Sequence, residues 1–434
     1  MKNKTIILFG LLMSSLFAFS QEPKKLSLKE VVELATTKSN QANLATVKTQ
    51  TAEAEVIQAK NKQYPNISLS GQYQRITQPN ISSPVLFQGS GSGQSFGNIN
   101  QILLGNANTS IPLFNGLKIN QNIKAHENLL QAEIAQENQT KENLANYAIA
   151  LYFNIYKTQQ TIIILNDNLK SAQQRVSDFK NLEDNGLLAH NDLLKAQLQA
   201  SNIELSIEKS KKDLNVLNYK LASILNLDEN TSFEIVKEDI EQSNIEKTLN
   251  SSIERSDLSA LNHQFEASKN QVKIAQGNYF PSINLIGGYF AADIHNFLTV
   301  TNAMNFGVGV SYDLSGIFKN NAEVKIAKSK SEEVKFSTSI LEKQINEEVK
   351  NAEENYLLAQ KQFNVYQKAA EQSDENYRIV KDKYDNGLSN TNDLLEANVE
   401  QIQASINKTV SQADILQKYY ELQYAKGTLI KTIN

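Results

Sequence analysis

Two carboxylates three residues apart carry the most suggestive chemistry in the chain. Asp393 and Glu396 follow a Gly-containing turn and start a segment of helical character, so a helix would place both on one face. Acidic groups that share a face attract cations and repel anions. A similar turn earlier in the sequence is followed by Asp192 and then by Lys195 where the second acid would stand. A wholly acidic face is therefore predicted only at Asp393 and Glu396, and the alternative is a merely solvated acidic surface.

No arrangement typical of an enzyme or a cofactor site occurs in the sequence. The chain has no cysteine, which excludes disulfides and thiolate metal sites. Nucleophile-elbow, phosphate-loop and calcium-loop patterns are missing as well. The histidines are scattered and form no HxxxH pair: they are His126, His190, His263 and His295. We therefore expect no catalysis, no cofactor and no bound metal.

The first twenty residues have the character of a secretory signal peptide. Lys2 and Lys4 precede an apolar run over 5–19, and Ala18-Phe19-Ser20 fits a cleavage site before Gln21. The run is too short to span a bilayer as a helix; the alternative is a buried N-terminal helix. Without 1–20 the chain has 41 basic and 47 acidic residues, a formal charge of −6, which argues against nucleic acid as a partner.

The rest of the chain consists of two similar sequence repeats. Segments 184–196 and 385–397 are identical at nine of thirteen positions, at an offset of 201 residues. Upstream, Tyr64-Pro65 matches Phe280-Pro281 at an offset of 216 residues. Two landmarks in the same order predict two structural repeats. The predicted domains are a first repeat over 21–227, an inter-repeat linker over 228–256 and a second repeat over 257–434. The linker is polar and acidic and could form an equatorial belt with the N-terminal and C-terminal helices.

Each repeat is predicted to contain a very long helix. Neither Gly nor Pro occurs in 117–185 or in 318–386, and apolar residues recur there at alternating spacings of four and three. A sustained period of 3.5 residues is typical of a coiled-coil seam. Gly186 and Gly387 end these runs, so we expect each long helix to turn back there at a tip.

Four short segments show the two-residue period of β-strands. Apolar side chains alternate in them with Ser, Asn and Gly, over lengths suited to tilted membrane strands. The predicted strands are 66–76, 98–113, 282–291 and 303–314. Four apolar residues depart from the alternation and fall on the polar side: Ile102, Leu104, Ile286 and Phe290. The pattern is typical of a barrel with an aqueous interior; the alternative is a periplasmic sandwich.

Four strands do not close a barrel, and an open edge in lipid leaves backbone groups unpaired. Strands that span a membrane therefore require several chains. Two chains give eight strands with a filled interior, whereas three give twelve strands and an aqueous bore, which favours a trimer. The segments between paired strands, Thr77–Gly97 and Asp293–Asn302, are predicted to be external loops.

Taken together, these features resemble the TolC-like outer-membrane efflux proteins, the outer-membrane factors of tripartite export systems. The resemblance covers 26–430 and implies a mainly α fold with a small membrane β-barrel. Each repeat would supply two strands and long coiled-coil helices to a trimeric twelve-stranded barrel and a twelve-helix periplasmic tunnel. The motifs are Tyr64-Pro65, Phe280-Pro281, Pro112-Leu-Phe-Asn-Gly116, Leu151-Tyr-Phe-Asn154, Arg255-Ser-Asp-Leu258 and the two Asn-Gly-Leu…Asn-Asp-Leu-Leu turns.

The same resemblance implies the function and the partners. The chain would be a passive channel in the outer membrane of a Gram-negative bacterium, with a long periplasmic extension. It would be a homotrimer in contact with outer-membrane lipid, loaded by an inner-membrane pump through a periplasmic adaptor (a membrane fusion protein). Adaptors would dock at the tip turns, which comprise Asn185, Gly186, Leu187, Asn386, Gly387 and Leu388. Cargo classes left open are drugs, metals, peptides and proteins.

Gate residues are also carried over from the family, position by position. Asp393 and Glu396 match its acidic constriction, so threefold symmetry would place six carboxylates around the axis. Tyr384 stands at the position of a Tyr that helps hold the closed tip, but the position of the partnering Arg is Ser389. Without that Arg, a weaker contact from Tyr384 to Asp192 is expected to be what remains of the closing link. Tyr384→Phe would then raise the resting conductance. The alternative for Tyr384 is ordinary packing in the seam.

Two further expectations complete the sequence analysis. Asn191-Asp192 and Asn392-Asp393 are expected to cap the returning helices, because Asn and Asp side chains satisfy free backbone N–H groups. The rival to a channel is a periplasmic coiled-coil scaffold or adaptor that has no barrel.

Overall fold

The structure is a computed structural model that describes residues 23–77, 99–236 and 252–433. The predicted signal peptide, nearly all of the predicted loop Thr77–Gly97 and the middle of the predicted linker lie outside the described residues. The elements are β1 (Lys24–Leu26), α1 (Leu28–Thr37), α2 (Asn40–Asn61), β2 (Asn66–Arg75), β3 (Gln101–Phe114), α3 (Lys118–Asp184), α4 (His190–Leu225), β4 (Phe233–Ile235), α5 (Ser256–Gly277), β5 (Ser282–Ile294), β6 (Leu298–Ser311), α6 (Gly316–Asp385), α7 (Thr391–Lys426) and α8 (Leu429–Ile433).

The chain divides into two compact units, which are described separately. The sheet unit comprises Lys48–Ile134 and Ser259–Ser339. The helical unit comprises Met1–Val47, Ala135–Leu258 and Ile340–Asn434. Both units draw on both sequence repeats, so the repeat boundary is not a boundary between the units. Among the described residues, none of the helices has an apolar stretch of the length that a bilayer crossing requires.

A four-stranded antiparallel sheet forms most of the sheet unit. Its strand order is β2-β3-β5-β6, so β2 and β6 are the edge strands. β2 follows α2, β3 precedes α3, β5 follows α5 and β6 precedes α6. All four helix connections therefore lie at one end of the sheet, which we call the helix end. At the opposite end β2 ends, β3 begins and β5 turns into β6. We call this the loop end.

The connection between β5 and β6 is shorter than the sequence analysis predicted. Segment Asp293–Asn302 was predicted to be an external loop, and this prediction is wrong. Ladder pairing continues to Ile294 and Leu298, leaving only three residues in the turn. Asn296 adopts a left-handed conformation with φ of 64°, and the amide of Phe297 donates to the carbonyl of Ile294 at 2.9 Å. Asn tolerates this conformation, so a tight hairpin forms without Gly.

The long helices have the predicted seams. Side chains at the predicted spacing are buried in α3 and in α6, among them Ile155, Leu165 and Phe179 in the first and Ile345 and Tyr356 in the second. α3 is 67 residues long and α6 is 70 residues long. Burial of each large apolar side chain contributes about 1.5–3 kcal/mol, so packing, rather than intrinsic propensity, stabilises helices of this length.

The largest apolar core of the helical unit contains residues of early and late elements of the chain, from β1 to α8. Tyr152 and Phe153 of α3 are almost fully buried in it, together with Phe233 of β4 and Leu429 of α8. β4 pairs in parallel with β1, with Lys25 opposite Glu234. The described ends of the predicted linker 228–256 belong to this folded unit, since Phe233 lies in the same core as Val31 of α1 and Leu429 of α8.

A buried polar cluster joins the start of α5 to the end of α7. Arg255, with 5% of its side chain exposed, donates two hydrogen bonds to Asp257, at 3.0 and 2.6 Å. It also donates to Glu348 at 2.7 Å and to the carbonyl of Ala425 at 3.2 Å. Hydrogen bonding to Asp257 raises the pKa of Arg255 above its usual value. The motif that opens the second repeat therefore ties three helices together.

Candidate gate at the helix tips

Each long helix ends in the same turn. We call the predicted tip turn over 184–192, together with the helix ends that flank it, the first tip. The predicted turn over 385–393, with its flanking helix ends, is the second tip. Gly186 and Gly387 both have φ of +75°, which side chains with a Cβ rarely adopt. The next amide donates back to the helix in both tips, from Leu187 to the carbonyl of Leu182 at 2.8 Å and from Leu388 to that of Lys383 at 2.7 Å. This is the Schellman ending, and it explains the Asn-Gly-Leu sequence in both repeats.

The caps of the returning helices differ from the prediction. α4 follows Ala189, which makes no side-chain capping bond. α7 follows Asn390, whose side-chain oxygen accepts from the amide of Asp393 at 3.0 Å. The capping role predicted for Asn191-Asp192 and Asn392-Asp393 is therefore wrong, because both helices begin earlier. Asp192 and Asp393 instead lie in the first turn, where a carboxylate interacts favourably with the helix dipole.

The acidic pair lies on an exposed face of α7. Asp393 and Glu396 are both exposed and are three residues apart on one helix. Asp393 accepts hydrogen bonds at 3.0 Å from the hydroxyl of Ser389 and from the side-chain amide of Asn390. In the described residues neither acid has a basic partner at ion-pair distance, whereas Asp192 at the first tip pairs with Lys195 at 3.2 Å. The two tips therefore differ in charge as the sequence predicts.

A groove of about 980 Å³ between α4 and α7 begins beside this pair. Glu396 and Lys195 both line it, so the first tip contributes its basic residue to the surface next to the second acid. Further along the groove the lining is mostly apolar, with Leu198 and Val399 each more than half exposed.

Tyr384 packs against the first repeat through its ring. The ring stacks on Phe179 with centroids 5.7 Å apart and an angle of 29° between the planes. It borders an apolar cluster that includes Leu193 and Leu394. Within the described residues no hydrogen bond joins Tyr384 to Asp192, although both lie at the tips. The arrangement corresponds to the alternative of seam packing.

A buried arginine that the sequence analysis did not single out links all four tip helices. Arg175 of α3 is 9% exposed, and its Nη1 donates to Gln199 of α4 and to Asn398 of α7, both at 3.1 Å. Its Nη2 donates to the hydroxyl of Tyr377 of α6 at 2.8 Å. Gln199 in turn donates to Asn398 at 3.2 Å. We call these four residues the Arg175 cluster.

One signal in the sequence could have pointed to Arg175. Only four of the 43 basic residues are arginine, and one of those four stands next to the seam position Val176. Arg forms several hydrogen bonds in a fixed geometry, so it suits a buried site better than Lys. Its three acceptors, however, come from helices distant in sequence.

Comparison with known proteins agrees with this geometry. The family model described as "Outer membrane efflux protein" matches residues 33–227 and 250–428. The chain belongs to the outer membrane efflux protein family. It is accordingly an outer-membrane protein with the mainly helical, TolC-like fold of that family. No protein with a curated description matches the chain significantly in sequence.

Solved structures of efflux-family channels share the fold at low identity. The outer membrane protein VceC of Vibrio cholerae is 16% identical, with 92% of this chain and 96% of that chain covered and a TM-score of 0.78. The CmeC outer membrane channel of Campylobacter jejuni is 17% identical, with coverages of 93% and 86% and a TM-score of 0.75. The open state of the MtrE outer membrane channel of Neisseria gonorrhoeae is 16% identical, with coverages of 93% and 89% and a TM-score of 0.72.

Proposed function

We propose that the chain is one protomer of a passive, trimeric exit duct in a tripartite efflux or type I secretion assembly. The observation that carries the proposal is the exposed apolar face of the four-stranded sheet. Leu69 is 86% exposed on β2, and Phe306 is 94% exposed on β6. Such a face is stable against lipid and unfavourable in water.

The sheet also presents two strand edges on which further strands can pair. β2 and β6 have a neighbour on one side only in the described part of the chain. In a bilayer an open edge leaves N–H and C=O groups unpaired, so β2 of one protomer would pair with β6 of the next. Three protomers give twelve strands, which is enough for an aqueous bore.

The tips supply a gate that fits this duct. Three copies of Asp393 and Glu396 would form a ring of six carboxylates around the axis, attracting cations and binding multivalent cations as a plug. The Arg175 cluster would hold the two helix pairs of each protomer together behind that ring. A periplasmic adaptor and an inner-membrane pump would open the gate by stabilising a second arrangement of the helices.

The exposed tip turns are the proposed docking surface for the adaptor. Leu187 is 75% exposed and Leu388 is 78% exposed, so both offer apolar surface to a partner. Gly186 and Gly387 fix the conformation that presents these leucines, and Asn185 and Asn386 close the turns through side-chain bonds to the preceding helix at 2.6 and 2.7 Å.

A periplasmic coiled-coil scaffold without a barrel is the alternative to the duct, and the match to an outer-membrane protein family argues against it. The helices alone suit both candidates. The exposed apolar sheet favours the duct, because a periplasmic protein would have to cover that face. Membrane fractionation separates the two: a duct is recovered with the outer membrane, whereas a scaffold is released with the periplasm.

Single-channel recording in planar bilayers tests the duct and its acidic gate. We expect a small, cation-selective conductance that trivalent cations block from the side of the tips. The double variant Asp393→Asn/Glu396→Gln should lose selectivity and require about tenfold more cation for block, because the ring has lost its charge. The matched control is Glu375→Gln/Asp382→Asn, an exposed acidic pair on α6 that contacts Arg378 of the same helix.

The outcomes separate the parts of the proposal. If the Asp393/Glu396 variant forms channels with unchanged selectivity, the duct is supported and the acidic ring is rejected. Folded wild-type protein that forms no channels would remove the duct and favour the scaffold.

A further inference from the structure

The sheet has a second face, and its character changes along the strands. Residues paired across an antiparallel sheet point to the same face, and neighbours along a strand point to opposite faces. The face opposite Leu69 and Phe306 therefore carries Ser70 on β2 and Asn106 on β3, which are paired. In the proposed duct this second face lines the bore, and we call it the inner face.

Toward the helix end the inner face is mostly polar, with Ile286 and Pro112 as apolar exceptions. Ser70 donates a hydrogen bond to Asn106 across the strands. Asn108 and Asn305 approach Gly288 from both sides, so closely that a Cβ there would lie 3.0 and 2.7 Å from their side-chain oxygens. This part of the inner face presents amide and hydroxyl groups, as the lining of an aqueous channel should.

Toward the loop end the same face becomes apolar on three of the four strands. Leu104 pairs with Ala292, and Ala292 pairs in turn with Val300, so the three lie in one row. Ile102 pairs with Ile294 in the next row. Phe290 lies on the helix-end side of these rows, at the border with the polar region, where it pairs with Asn106. The six residues Ile102, Leu104, Phe290, Ala292, Ile294 and Val300 are called the apolar collar.

An irregularity in the sheet preserves this surface. The β5–β6 register shifts between Phe290 and Ala292, where Asn302 adopts φ of 60°. The extra residue in β6 keeps Val300 opposite Ala292 instead of turning it to the outer face. A bulge that re-aims side chains in this way is a typical device for shaping a surface.

The charges nearby lie on the other face. Asp293 pairs with Leu103 and Arg75 pairs with Gln101, so both alternate out of the inner face. In the described strands the inner face has no charged side chain. Phe290 is 42% exposed in the single protomer, so its ring is accessible to a molecule in the bore.

We propose that the apolar collar lines the distal end of the bore and binds the apolar part of exported small amphiphilic molecules, an inference that rests on the duct proposed above. Three protomers would contribute three copies around one axis. An apolar constriction disfavours hydrated ions, and apolar surface gains free energy when it meets an apolar body. The mostly polar helix end of the inner face offers such a molecule less apolar contact than the collar does. The collar would therefore be the site at which the molecule is held, and it would leave the bore from there. The occupant is therefore an organic molecule with an apolar body, not an inorganic ion.

Block of the wild-type channel by quaternary ammonium ions tests the collar. Tetrapentylammonium and tetramethylammonium have the same charge but differ in apolar surface. Each is added to the chamber opposite the one that received the protein, where the loop end is expected. We expect tetrapentylammonium to block and tetramethylammonium to pass. Phe290→Ser and, separately, Leu104→Ser should weaken the tetrapentylammonium block by about tenfold, because apolar contact is lost in all three protomers.

Two further variants make the test specific. Ile286→Ser is the matched control, since Ile286 lies on the same strand and face but pairs with Ser110 and Gly307 at the helix end. Its block should equal that of the wild type. Phe290→Leu keeps an apolar side chain and should retain most of the block, which distinguishes contact from general loosening of the sheet.

The outcomes distinguish the collar from the duct. Wild-type channels blocked equally by both ions, or weakened as much by Ile286→Ser as by Phe290→Ser, would overturn the collar and leave the duct. Absence of channels from folded wild-type protein would overturn the proposed duct, and the collar with it.

Discussion

Arg175 of α3 donates a hydrogen bond of 2.8 Å from Nη2 to the hydroxyl of Tyr377 on α6, joining the two long helices near the tips. Its other two acceptors, Gln199 and Asn398, are also neutral. A buried charge is tolerated only when hydrogen bonds replace the lost water. Arg175 therefore depends on all four helices staying together, so separation of the helix pairs would expose or strand its charge.

Replacement of Arg175 should open the proposed gate. Arg175→Gln removes the charge and the three hydrogen bonds, so the hydroxyl oxygen of Tyr377 and the side-chain oxygen of Gln199 lose this donor at a cost of about 1–3 kcal/mol. We expect a higher resting conductance and a lower midpoint of thermal unfolding. Arg175→Lys keeps the charge but loses the planar fork of donors, so it should open the channel too.

The control for this prediction is another arginine of the tip helices. Arg378 is exposed, and in the part of the chain that the structure describes it pairs with Glu375 and Asp382 of α6. Arg378→Gln should leave the resting conductance unchanged. If it raised the conductance as much as Arg175→Gln, the Arg175 cluster would have no special part in closure.

Tyr384 should act through its ring and not through its hydroxyl. The sequence analysis expected Tyr384→Phe to raise the resting conductance through loss of a bond to Asp192. Since the ring stacks on Phe179 and Asp192 pairs with Lys195, we now expect Tyr384→Phe to behave as the wild type. Tyr384→Ala should raise the conductance and destabilise the tip by about 1–3 kcal/mol, because aromatic and apolar contacts are lost. If the Tyr384→Phe channel has a raised resting conductance, the hydroxyl of Tyr384 takes part in closure after all.

The parts of the fold that the sequence predicted are those with a local signal. The seam residues, such as Ile155 and Ile345, follow from a spacing along one helix, and the four strands follow from alternation along one strand. The tip turns were visible because Gly alone tolerates their backbone conformation. Each of these features is determined by residues that are close together in the sequence.

The parts that were missed depend on distant or marginal interactions. The Arg175 cluster joins residues 24 to 223 positions apart, which no local period reveals. The caps were misplaced because Asn390 and Asn392 are equally good capping residues by type, and the turn geometry chose the first. The hairpin at Asn296 was not predicted because Asp293, Asn296 and Asn302 are of residue types that favour turns and loops.

The buried carboxyl of Glu142 predicts a dependence of stability on pH. Glu142 is 7% exposed, and its Oε1 accepts from the amide of Ile430 at 3.3 Å. Burial raises the pKa of Glu142 above 4.5, although the amides of Ile430 and Leu429 and the charges of Lys431 and Arg255 oppose the shift. The folded protein thus holds this proton more tightly than the unfolded chain. The resulting stabilisation is complete below pH 4.5 and is lost as the pH rises through the folded pKa.

Unfolding midpoints of wild type and Glu142→Gln, measured over a range that extends well below and well above pH 4.5, check this sign. Relative to the Gln variant, the wild type should lose stability as the pH rises. Glu30 is the matched control, since the backbone and side-chain hydrogen bonds from Ser27 lower the pKa of Glu30. Relative to Glu30→Gln the wild type should lose stability as the pH falls, so equal slopes for the two variants would contradict the assignment.

The two acids that pair with Arg255, Asp257 and Glu348, should contribute unequally to the stability of the helical unit. Asp257 accepts two hydrogen bonds from Arg255 and is 21% exposed, whereas Glu348 accepts one and is 54% exposed. Loss of a desolvated partner strands the buried charge, so Asp257→Asn and Arg255→Lys should each lower the free energy of unfolding by about 3 kcal/mol. Glu348→Gln, at a solvated pair, should lower it by less than about 1 kcal/mol.

Gly427 gives an independent check on the same junction. It has φ of +75°, and a Cβ there would lie 2.5 Å from the carbonyl oxygen of Glu254, next to Arg255. Gly427→Ala should therefore displace the segment that carries Arg255 and lower the unfolding midpoint. Its effect should be less than additive with that of Arg255→Lys, because both disrupt one junction. Full additivity in the double variant would mean that the glycine and the arginine stabilise the fold separately.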